Sequence, residues 1–222
     1  MSTRAILVRH GQSVSNAHPE LAALPLEEGD RLTELGRQQS IAAADALAQL
    51  QPTALLSSQM GRARETAALI GERLGMEVTE LPYISELRES REYATMRPEE
   101  QKLRRWSVWM TEHGEDPDFS WHGGESFNEI RGRVQRLKDE LERDYSGQRP
   151  LVVTHGIFLR FFLFDSLLGD AFGPSQAHRL WYVRSLNCGV SIFEQGERWH
   201  PADADTPGWS CITWMARPWD PP

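Results

Sequence analysis

The chain has 222 residues, and its 24 Lys and Arg stand against 32 Asp and Glu, which gives a formal net charge of −8 at pH 7. Hydrophobic residues make up 40% and charged residues 25% of it, as in globular domains, which excludes a disordered, collagenous or coiled-coil protein. Nucleic-acid binders usually carry a basic balance, so no nucleic-acid partner is expected. The length predicts a single domain over residues 1–222.

The cysteines and the apolar runs place the protein in the cytoplasm by default. Cys188 and Cys211 are too few for a disulfide framework and form no CxxC pair, so free, buried thiols are expected. The first apolar run, Ala5–Val8, is too short for a signal peptide. The most apolar stretch, residues 156–169, is interrupted by an arginine and an aspartate, so no membrane association is expected.

Strands and helices are predicted to alternate along the chain. Short apolar runs predict strands, and apolar residues spaced three and four apart predict helices. The order is strand 5–8, helix 34–50 capped by Thr33, strand 54–57, helix 61–74, strand 76–81, helix 98–110, helix 125–145, strand 151–153 and helix 157–168, followed by strands 179–183, 188–193 and 209–215. This alternation predicts an α/β three-layer sandwich with a mainly parallel central sheet flanked by helices.

Residues 90–124 break this alternation. We interpret them as a helical insertion, or cap, over the carboxyl end of the sheet. The segment contains aromatic and histidine side chains of the kinds that pack together or bind a substrate: Trp106, Trp109, His113, Phe119, Trp121 and His122. Trp106 and Trp109 share one helical face, which is more typical of packing than of a ligand platform.

Ligands of open α/β sheets bind beyond the carboxyl ends of the strands, so the residues that follow each predicted strand are candidate site residues. Four strand ends are followed by two histidines, several arginines and carboxylates: Arg9, His10 and Gly11; Ser57, Ser58, Arg62 and Arg64; Glu86, Arg88 and Glu89; and Thr154, His155 and Gly156. Of the two helix-start arginines, Arg62 is the better candidate because it lies nearer the strand end. The acidic candidates are Glu86, Glu89 and Glu92.

This set of residues suits phosphoryl transfer. Arginine forks match phosphate oxygens and stay charged at any working pH. A neutral imidazole can attack phosphorus, and a carboxylic acid can protonate the departing oxygen. A second histidine can donate to a phosphoryl oxygen as charge develops. Gly11 and Gly156 would leave backbone N–H groups open to close approach.

The chain resembles the histidine phosphatase superfamily, in its phosphoglycerate-mutase-like branch. The resemblance covers most of the chain and rests on six ordered segments. These are residues 9–16 (RHGQSVSN), 32–36 (LTELG), 57–67 (SSQMGRARETA), 87–89 (LRE), 123–126 (GGES) and 152–156 (VVTHG). It implies a phosphoglycerate mutase-like fold.

The resemblance also assigns roles. It implies that His10 is the phosphorylated nucleophile, that Arg9, Arg62 and His155 hold the phosphoryl group, and that Glu89 is the general acid. Asn16 would contact the phosphoryl group. The family needs no metal, and no cofactor is expected.

Three functions remain open from the sequence. The first is a phosphomonoester phosphatase acting on a small phosphorylated substrate, as a monomer or homodimer. The second is a phosphoglycerate-type mutase, for which Arg104 and Arg105 could hold a bisphosphate, although they lie much closer to Glu89 than the equivalent pair in the mutases. The third is a non-catalytic phospho-ligand binding module. Residues 90–96 (SREYATM) match neither the phosphatase nor the mutase pattern that follows LRE, so the sequence leaves the substrate unassigned.

Overall fold

The computed structural model describes residues 2–18, 26–90, 96, 100, 116–120, 123–196 and 207–219. Six strands form one sheet, and their order across it is β3-β2-β4-β1-β5-β6. They are β1 (Thr3–Arg9), β2 (Ala54–Ser57), β3 (Val78–Glu80), β4 (Pro150–Thr154), β5 (Val190–Gly196) and β6 (Gly208–Ala216). The centre of the sheet therefore pairs β1 with β4 and β5, which come much later in the sequence.

The sheet is mainly parallel, as predicted, but it is a mixed sheet. β1 runs parallel to β4, and β2 runs parallel to both β3 and β4. β5 is antiparallel to both of its neighbours, β1 and β6. The carboxyl ends of β1, β2 and β4 consequently lie along the same edge of the sheet.

The helices predicted over residues 34–50, 61–74, 125–145 and 157–168 form with small changes at their ends. They are α3 (Glu34–Leu47), α4 (Gly61–Leu74), α5 (Phe127–Asp144) and α6 (Gly156–Leu168). Three short helices were not predicted: α1 (Val14–Ala17), α2 (Leu26–Gly29) and α7 (Pro174–Ala177). α3 begins where predicted because the Thr33 hydroxyl accepts the Gly36 N–H. α5 begins with a capping box, in which Ser126 and Glu129 each accept the other's backbone N–H.

The prediction of a strand over residues 179–183 is wrong. His178–Tyr182 form a short 3₁₀ helix, in addition to those at Ala48–Leu50, Pro82–Ile84 and Gly169–Ala171. The apolar side chains that suggested a strand pack instead against α6. There Arg160 lies over the Trp181 ring, 5.2 Å from its centroid, and donates to the Val183 carbonyl. Local strand propensity was overridden by tertiary packing.

Alternate residues of the central strands face two separate cores. Ala5 and Leu7 of β1 join the core built with α5 and α6. Ile6 and Val8 join the core built with α3 and α4. All four side chains are fully buried, which explains why β1 is a continuous apolar run rather than an alternating one. Helices thus cover both faces of the sheet, and the three-layer prediction is confirmed.

Helix α3 packs unusually close to the turn that follows β1. A Cβ atom on Gly36 would lie 2.1 Å from the Gln12 carbonyl oxygen and 2.9 Å from its nitrogen. A Cβ on Gly11 would lie 2.5 Å from the Gly36 carbonyl oxygen. Both contacts are with backbone atoms, which cannot rotate away as a side chain can. The two glycines therefore permit a backbone-to-backbone approach that no other residue allows.

We expect Gly36→Ala to lower the free energy of unfolding by about 3 kcal/mol, because overpacking against backbone forces the helix and turn apart. The matched control is Gly132→Ala, on the exposed side of α5, where an added Cβ meets no atom within 4 Å. That change is expected to stabilise the protein by up to about 1 kcal/mol through helix propensity. Urea unfolding of both variants measures the two effects, and equal stability of Gly36→Ala and wild type would contradict the packing explanation.

Part of the predicted insertion lies outside the described residues. The helix predicted over 98–110 falls there, as do Arg104, Arg105, Trp106, Trp109, His113, Trp121 and His122. Within the part of the chain that the structure describes, none of the helices combines the length and the apolar character needed to cross a bilayer.

Candidate active site

The ends of the central strands bring two histidines together. The His10 N–H donates to the Thr154 carbonyl at the end of β4, at 2.9 Å. The Ser58 N–H, just beyond β2, donates to the Val153 carbonyl at 3.0 Å. The rings of His10 and His155 lie 5.1 Å apart between centroids, and both residues are buried. The sheet edge expected to carry a site therefore does hold the two predicted histidines.

The hydrogen bonds of His10 fix its tautomer. Its Nδ1 lies 2.7 Å from the Gly11 carbonyl oxygen, which can only accept, so Nδ1 carries the proton. Its Nε2 lies 3.0 Å from Nε of Arg62, which can only donate. Both contacts agree that Nε2 holds a lone pair. His10 is therefore oriented as a neutral base or nucleophile through Nε2.

The surroundings of His10 favour its neutral form. Burial lowers the pKa of His10 well below its usual value of 6.5, and the positive charge of Arg62, the neighbouring His155 and the charge of Arg9 lower it further. The Gly11 carbonyl opposes this shift, because it accepts from the ring. The surroundings therefore keep the His10 ring neutral at neutral pH.

His155 lies against the Ser58 hydroxyl. Its Nε2 is 2.8 Å from that hydroxyl, which also lies 3.4 Å from the Ser85 hydroxyl. The Ser58 hydroxyl can donate to Nε2 or accept from it, so this contact is compatible with either tautomer of the neutral ring. Burial, with the charges of Arg62, Arg9 and Arg133, lowers the pKa of His155 well below its usual value, which keeps the ring neutral. Its buried Nδ1 has no hydrogen-bond partner among the described residues, so it can serve an oxygen of a bound ligand.

Arg62 is the arginine that reaches the histidines. It is the second residue of α4, and besides His10 it contacts the Asp30 carboxylate, with 2.5 Å between Nη1 and Oδ1. Arg64 lies on the exposed side of α4 and pairs with Glu80. The structure thus brings Arg62 to His10, while Arg64 pairs with Glu80.

Asp30 is a site residue that sequence reasoning missed. Its Oδ2 accepts the Gly61 N–H at the start of α4, while its Oδ1 accepts from Arg62. One carboxylate therefore fixes both the helix start and the guanidinium. The signal for it was weak, because Asp30 precedes the LTELG segment in a polar stretch and no spacing rule connects it with α4.

Arg9 lies close enough to the two histidines for its charge to lower the pKa of both. Its Nη1 donates to the Ser185 carbonyl at 2.6 Å and its Nη2 donates to Asn16 at 3.2 Å. Asn16 also accepts from Asn187, which in turn donates to the His10 carbonyl. The buried Nε of Arg9 has no hydrogen-bond partner within the described ranges. Asn16 therefore orients Arg9 in addition to being available to a ligand.

The two glycines predicted to expose their N–H groups differ. The Gly11 N–H is not open, since it donates to the Thr66 hydroxyl at 3.0 Å. The glycine is explained by the close approach of α3 described above. A Cβ at Gly156 would lie 3.1 Å from the Ser185 hydroxyl and 3.3 Å from Nε of Arg9. A side chain there would press on the guanidinium, so Gly156 preserves the space beside Arg9.

The carboxylate candidates have different surroundings. Glu86 accepts the N–H groups of Ile157 and Phe158 at the start of α6 and is the main group that raises the pKa of Arg9 against its burial. Its carboxylate is therefore committed to the helix start. Glu89 is exposed, three residues further along the same segment. Glu92 lies outside the described residues. In the described ranges, no three His, Cys, Asp or Glu side chains cluster as metal ligands.

The arrangement can bind and transfer a phosphoryl group. The Nε2 of His10 accepts from Arg62, the charge of Arg9 also acts on the ring, and the second imidazole, His155, has an Nδ1 without a hydrogen-bond partner among the described residues. The sequence matches the profile of the histidine phosphatase superfamily (branch 1) over residues 5–201. The chain belongs to this superfamily.

Two curated relatives of this chain bear the name probable phosphoglycerate mutase GpmB. The protein from Yersinia enterocolitica is 31% identical over 198 residues, covering 87% of this chain and 86% of its own. The protein from Enterobacter sp. is 33% identical over 195 residues, covering 86% and 84%.

Solved structures with the same fold include enzymes described as phosphatases. A mycobacterial glucosyl-3-phosphoglycerate phosphatase is 24% identical, with a TM-score of 0.70 and coverage of 98% of this chain and 100% of the other. The phosphoserine phosphatase of Entamoeba histolytica, in complex with 3-phosphoglyceric acid, is 18% identical, with a TM-score of 0.74 and coverage of 98% of both chains. At these identities the likeness establishes the phosphoglycerate mutase-like fold.

Proposed function

We propose that this member of the histidine phosphatase superfamily hydrolyses phosphomonoesters through a covalent phosphohistidine on His10, without a metal. The observation that carries the proposal is the state of His10: it is buried, its surroundings lower its pKa, and its Nε2 is the acceptor nitrogen, which takes a hydrogen bond from Arg62 beside the His155 ring. A buried imidazole in this tautomer beside two arginines suits attack on a phosphate ester.

In the first step, the Nε2 lone pair of His10 forms a bond to phosphorus and the bond from phosphorus to the ester oxygen breaks. The leaving oxygen takes a proton from the Glu89 carboxyl group. Arg9, Arg62 and the Nδ1–H of His155 stabilise the phosphoryl oxygens as they gain charge. The products are the alcohol and an Nε2-phosphorylated His10.

In the second step, water attacks phosphorus and the bond to Nε2 breaks. The Glu89 carboxylate accepts a proton from the water, which returns the carboxyl group to its starting state. His10 leaves as the neutral imidazole with its proton still on Nδ1, because the Gly11 carbonyl holds that proton. Inorganic phosphate is the second product.

A phosphoglycerate mutase is the second candidate. The names of the two curated relatives favour it, and it uses the same phosphohistidine chemistry. It would also need cationic groups, such as Arg104 and Arg105, to hold a bisphosphate while it turns around. The short sequence between Glu89 and this arginine pair favours hydrolysis.

Phosphate release from an aryl phosphate, measured with excess chelator, tests the proposal. Chelator-resistant turnover is the expected result. No release of phosphate, combined with interconversion of phosphoglycerates that depends on a bisphosphate primer, would instead establish the mutase. Turnover that stops when chelator is added would contradict the metal-independent mechanism.

The lowered pKa of His10 predicts activity at acidic pH. Because attack needs the neutral ring, kcat/KM for an aryl phosphate should persist below pH 6.5, the ordinary imidazole pKa. The stability of the fold, unlike the activity, should decrease at acidic pH. Below pH 6.5 the unfolded chain binds protons on His10 and His155 that the folded chain excludes, so the free energy of unfolding falls as pH falls. A pH series of kinetics and urea unfolding checks both, and an acidic limb of kcat/KM centred at the ordinary pKa would contradict the assignment.

A further inference from the structure

Glu125 of the GGES segment forms a buried ion pair that the proposed phosphoryl chemistry does not explain. Glu125 precedes the N-cap of α5, is only 3% exposed in its side chain, and forms a two-pronged ion pair with Arg133 two turns later. Nε and Nη2 of Arg133 each lie 2.6 Å from one of the Glu125 carboxylate oxygens. A buried, bidentate pair is geometrically demanding, so both side chains are held in one position.

This pair forms hydrogen bonds with the backbone of the segment that leads to Glu89. We call residues 83–89 the acid segment. The remaining nitrogen of Arg133, Nη1, donates to the carbonyls of Tyr83 and Ser85, at 2.8 and 2.7 Å. The Glu125 carboxylate accepts the Arg88 N–H, and the Glu125 N–H donates to the Arg88 carbonyl. The ion pair therefore contacts the acid segment at both ends, including the residue directly before Glu89.

Two further contacts align the same segment with the histidines. The Thr154 hydroxyl donates to the Ile84 carbonyl at 2.6 Å, directly before His155. The Glu86 carboxylate accepts N–H groups at the start of α6, directly after Gly156. The acid segment is thus fixed to the strand end that carries His155, while Arg133 and Glu125 fix its path from there to Glu89.

We propose that Glu125 and Arg133 are positioning residues for the general acid: they fix the acid segment so that the Glu89 carboxyl group meets the leaving oxygen. This inference rests on the proposed function, since it assigns a role to two residues that support Glu89. A positioning role can be distinguished from a merely stabilising one. If the pair positions Glu89, breaking it should lower kcat/KM most for substrates whose leaving group needs a proton.

The test compares kcat/KM for two substrates. Dinitrophenyl phosphate has a leaving group that departs without a proton, whereas glycerol phosphate releases an alkoxide that needs one. Their ratio is independent of the folded fraction of a sample, because both substrates meet the same active molecules. The variants are Glu125→Gln and Arg133→Lys. The lysine keeps the positive charge that acts on His155, but one ammonium group cannot span two carbonyls and a carboxylate.

Arg131→Lys is the matched control. Arg131 lies on the same helix, its side chain is 18% exposed against 20% for Arg133, and it also pairs with a buried carboxylate, that of Asp165. Its side chain contacts Asp165, Asp170 and the Gly169 carbonyl, away from the acid segment.

We expect Glu125→Gln and Arg133→Lys to lower kcat/KM for glycerol phosphate at least about 30-fold and for dinitrophenyl phosphate less than about 3-fold, as loss of general-acid catalysis predicts. Arg131→Lys should leave the ratio unchanged. Added to Glu89→Gln, neither variant should cause a further selective loss. Equal losses with both substrates, or selective losses that add to those of Glu89→Gln, would overturn the inference. If wild type showed no turnover, or turnover equal to that of His10→Ala, the proposed function itself would be refuted.

Discussion

Replacing His10 with alanine is expected to lower kcat/KM for an aryl phosphate about 10⁴-fold or more, because a nucleophile that forms the covalent intermediate has no substitute in the site. The ring is buried among groups that favour its neutral form, and its lone pair is presented at Nε2. Alanine removes the attacking atom while keeping the backbone that pairs with β4.

His178→Ala is the matched control for His10→Ala. His178 is a partly exposed histidine whose ring contacts the Ser175 carbonyl, and its removal should leave kinetics unchanged. Wild type quenched during turnover should carry an acid-labile, base-stable phosphate that His10→Ala lacks. Equal turnover in wild type and His10→Ala would reject the assignment of the nucleophile, and a phosphoenzyme that persists in His10→Ala would place the covalent step on another residue.

Arg62→Met should lower kcat/KM about 10²- to 10³-fold, as expected when one charged donor to a developing oxyanion is removed. Methionine keeps much of the aliphatic stem but cannot donate to the phosphoryl group or to His10. The change should also alter the pH profile. Because the Arg62 charge helps to lower the pKa of His10, its loss raises that pKa and moves the acidic limb of kcat/KM to higher pH.

Arg64→Met provides the control for Arg62→Met. Arg64 lies in the same turn of α4, but its side chain is 60% exposed and pairs with the exposed Glu80, so its loss should change kcat/KM less than about 2-fold. Equal losses in the two variants would show that kcat/KM depends on the start of α4 in general rather than on the Arg62 guanidinium. An unmoved acidic limb in Arg62→Met would contradict the electrostatic explanation of the His10 pKa.

The strand-end residues could be predicted because their placement follows from chain order and sheet geometry. A continuous apolar run identifies β1 and β4 as buried strands, and parallel strands deliver the residues after them to one edge. His10, Arg62 and His155 are brought together in this way. The family resemblance adds the choice of Glu89 over Glu86, and the commitment of Glu86 to the start of α6 agrees with that choice.

The supporting residues could not be predicted because their partners are set by tertiary packing. Asp30 contacts Arg62, and Glu125 contacts Arg88, across separations of 32 and 37 residues. Each is an acidic residue in a polar stretch, where the ordinary interpretation is a solvated side chain. The 3₁₀ helix at His178–Tyr182 was missed for a related reason, since its apolar residues pack against α6 rather than pairing with a neighbouring strand.

The pairing of β1 with late strands has a consequence for synthesis on the ribosome. His10 is among the first residues to emerge, yet its carbonyl is bonded to Asn187, which is 177 residues away in the chain. β1 also needs both β4 and β5 as neighbours. His10, the proposed nucleophile, consequently spends most of translation without His155 and without the strands on either side of β1, and a nascent or truncated chain lacks the complete site. We therefore expect turnover only when the last third of the chain has folded, so that activity would report completion of the whole sheet.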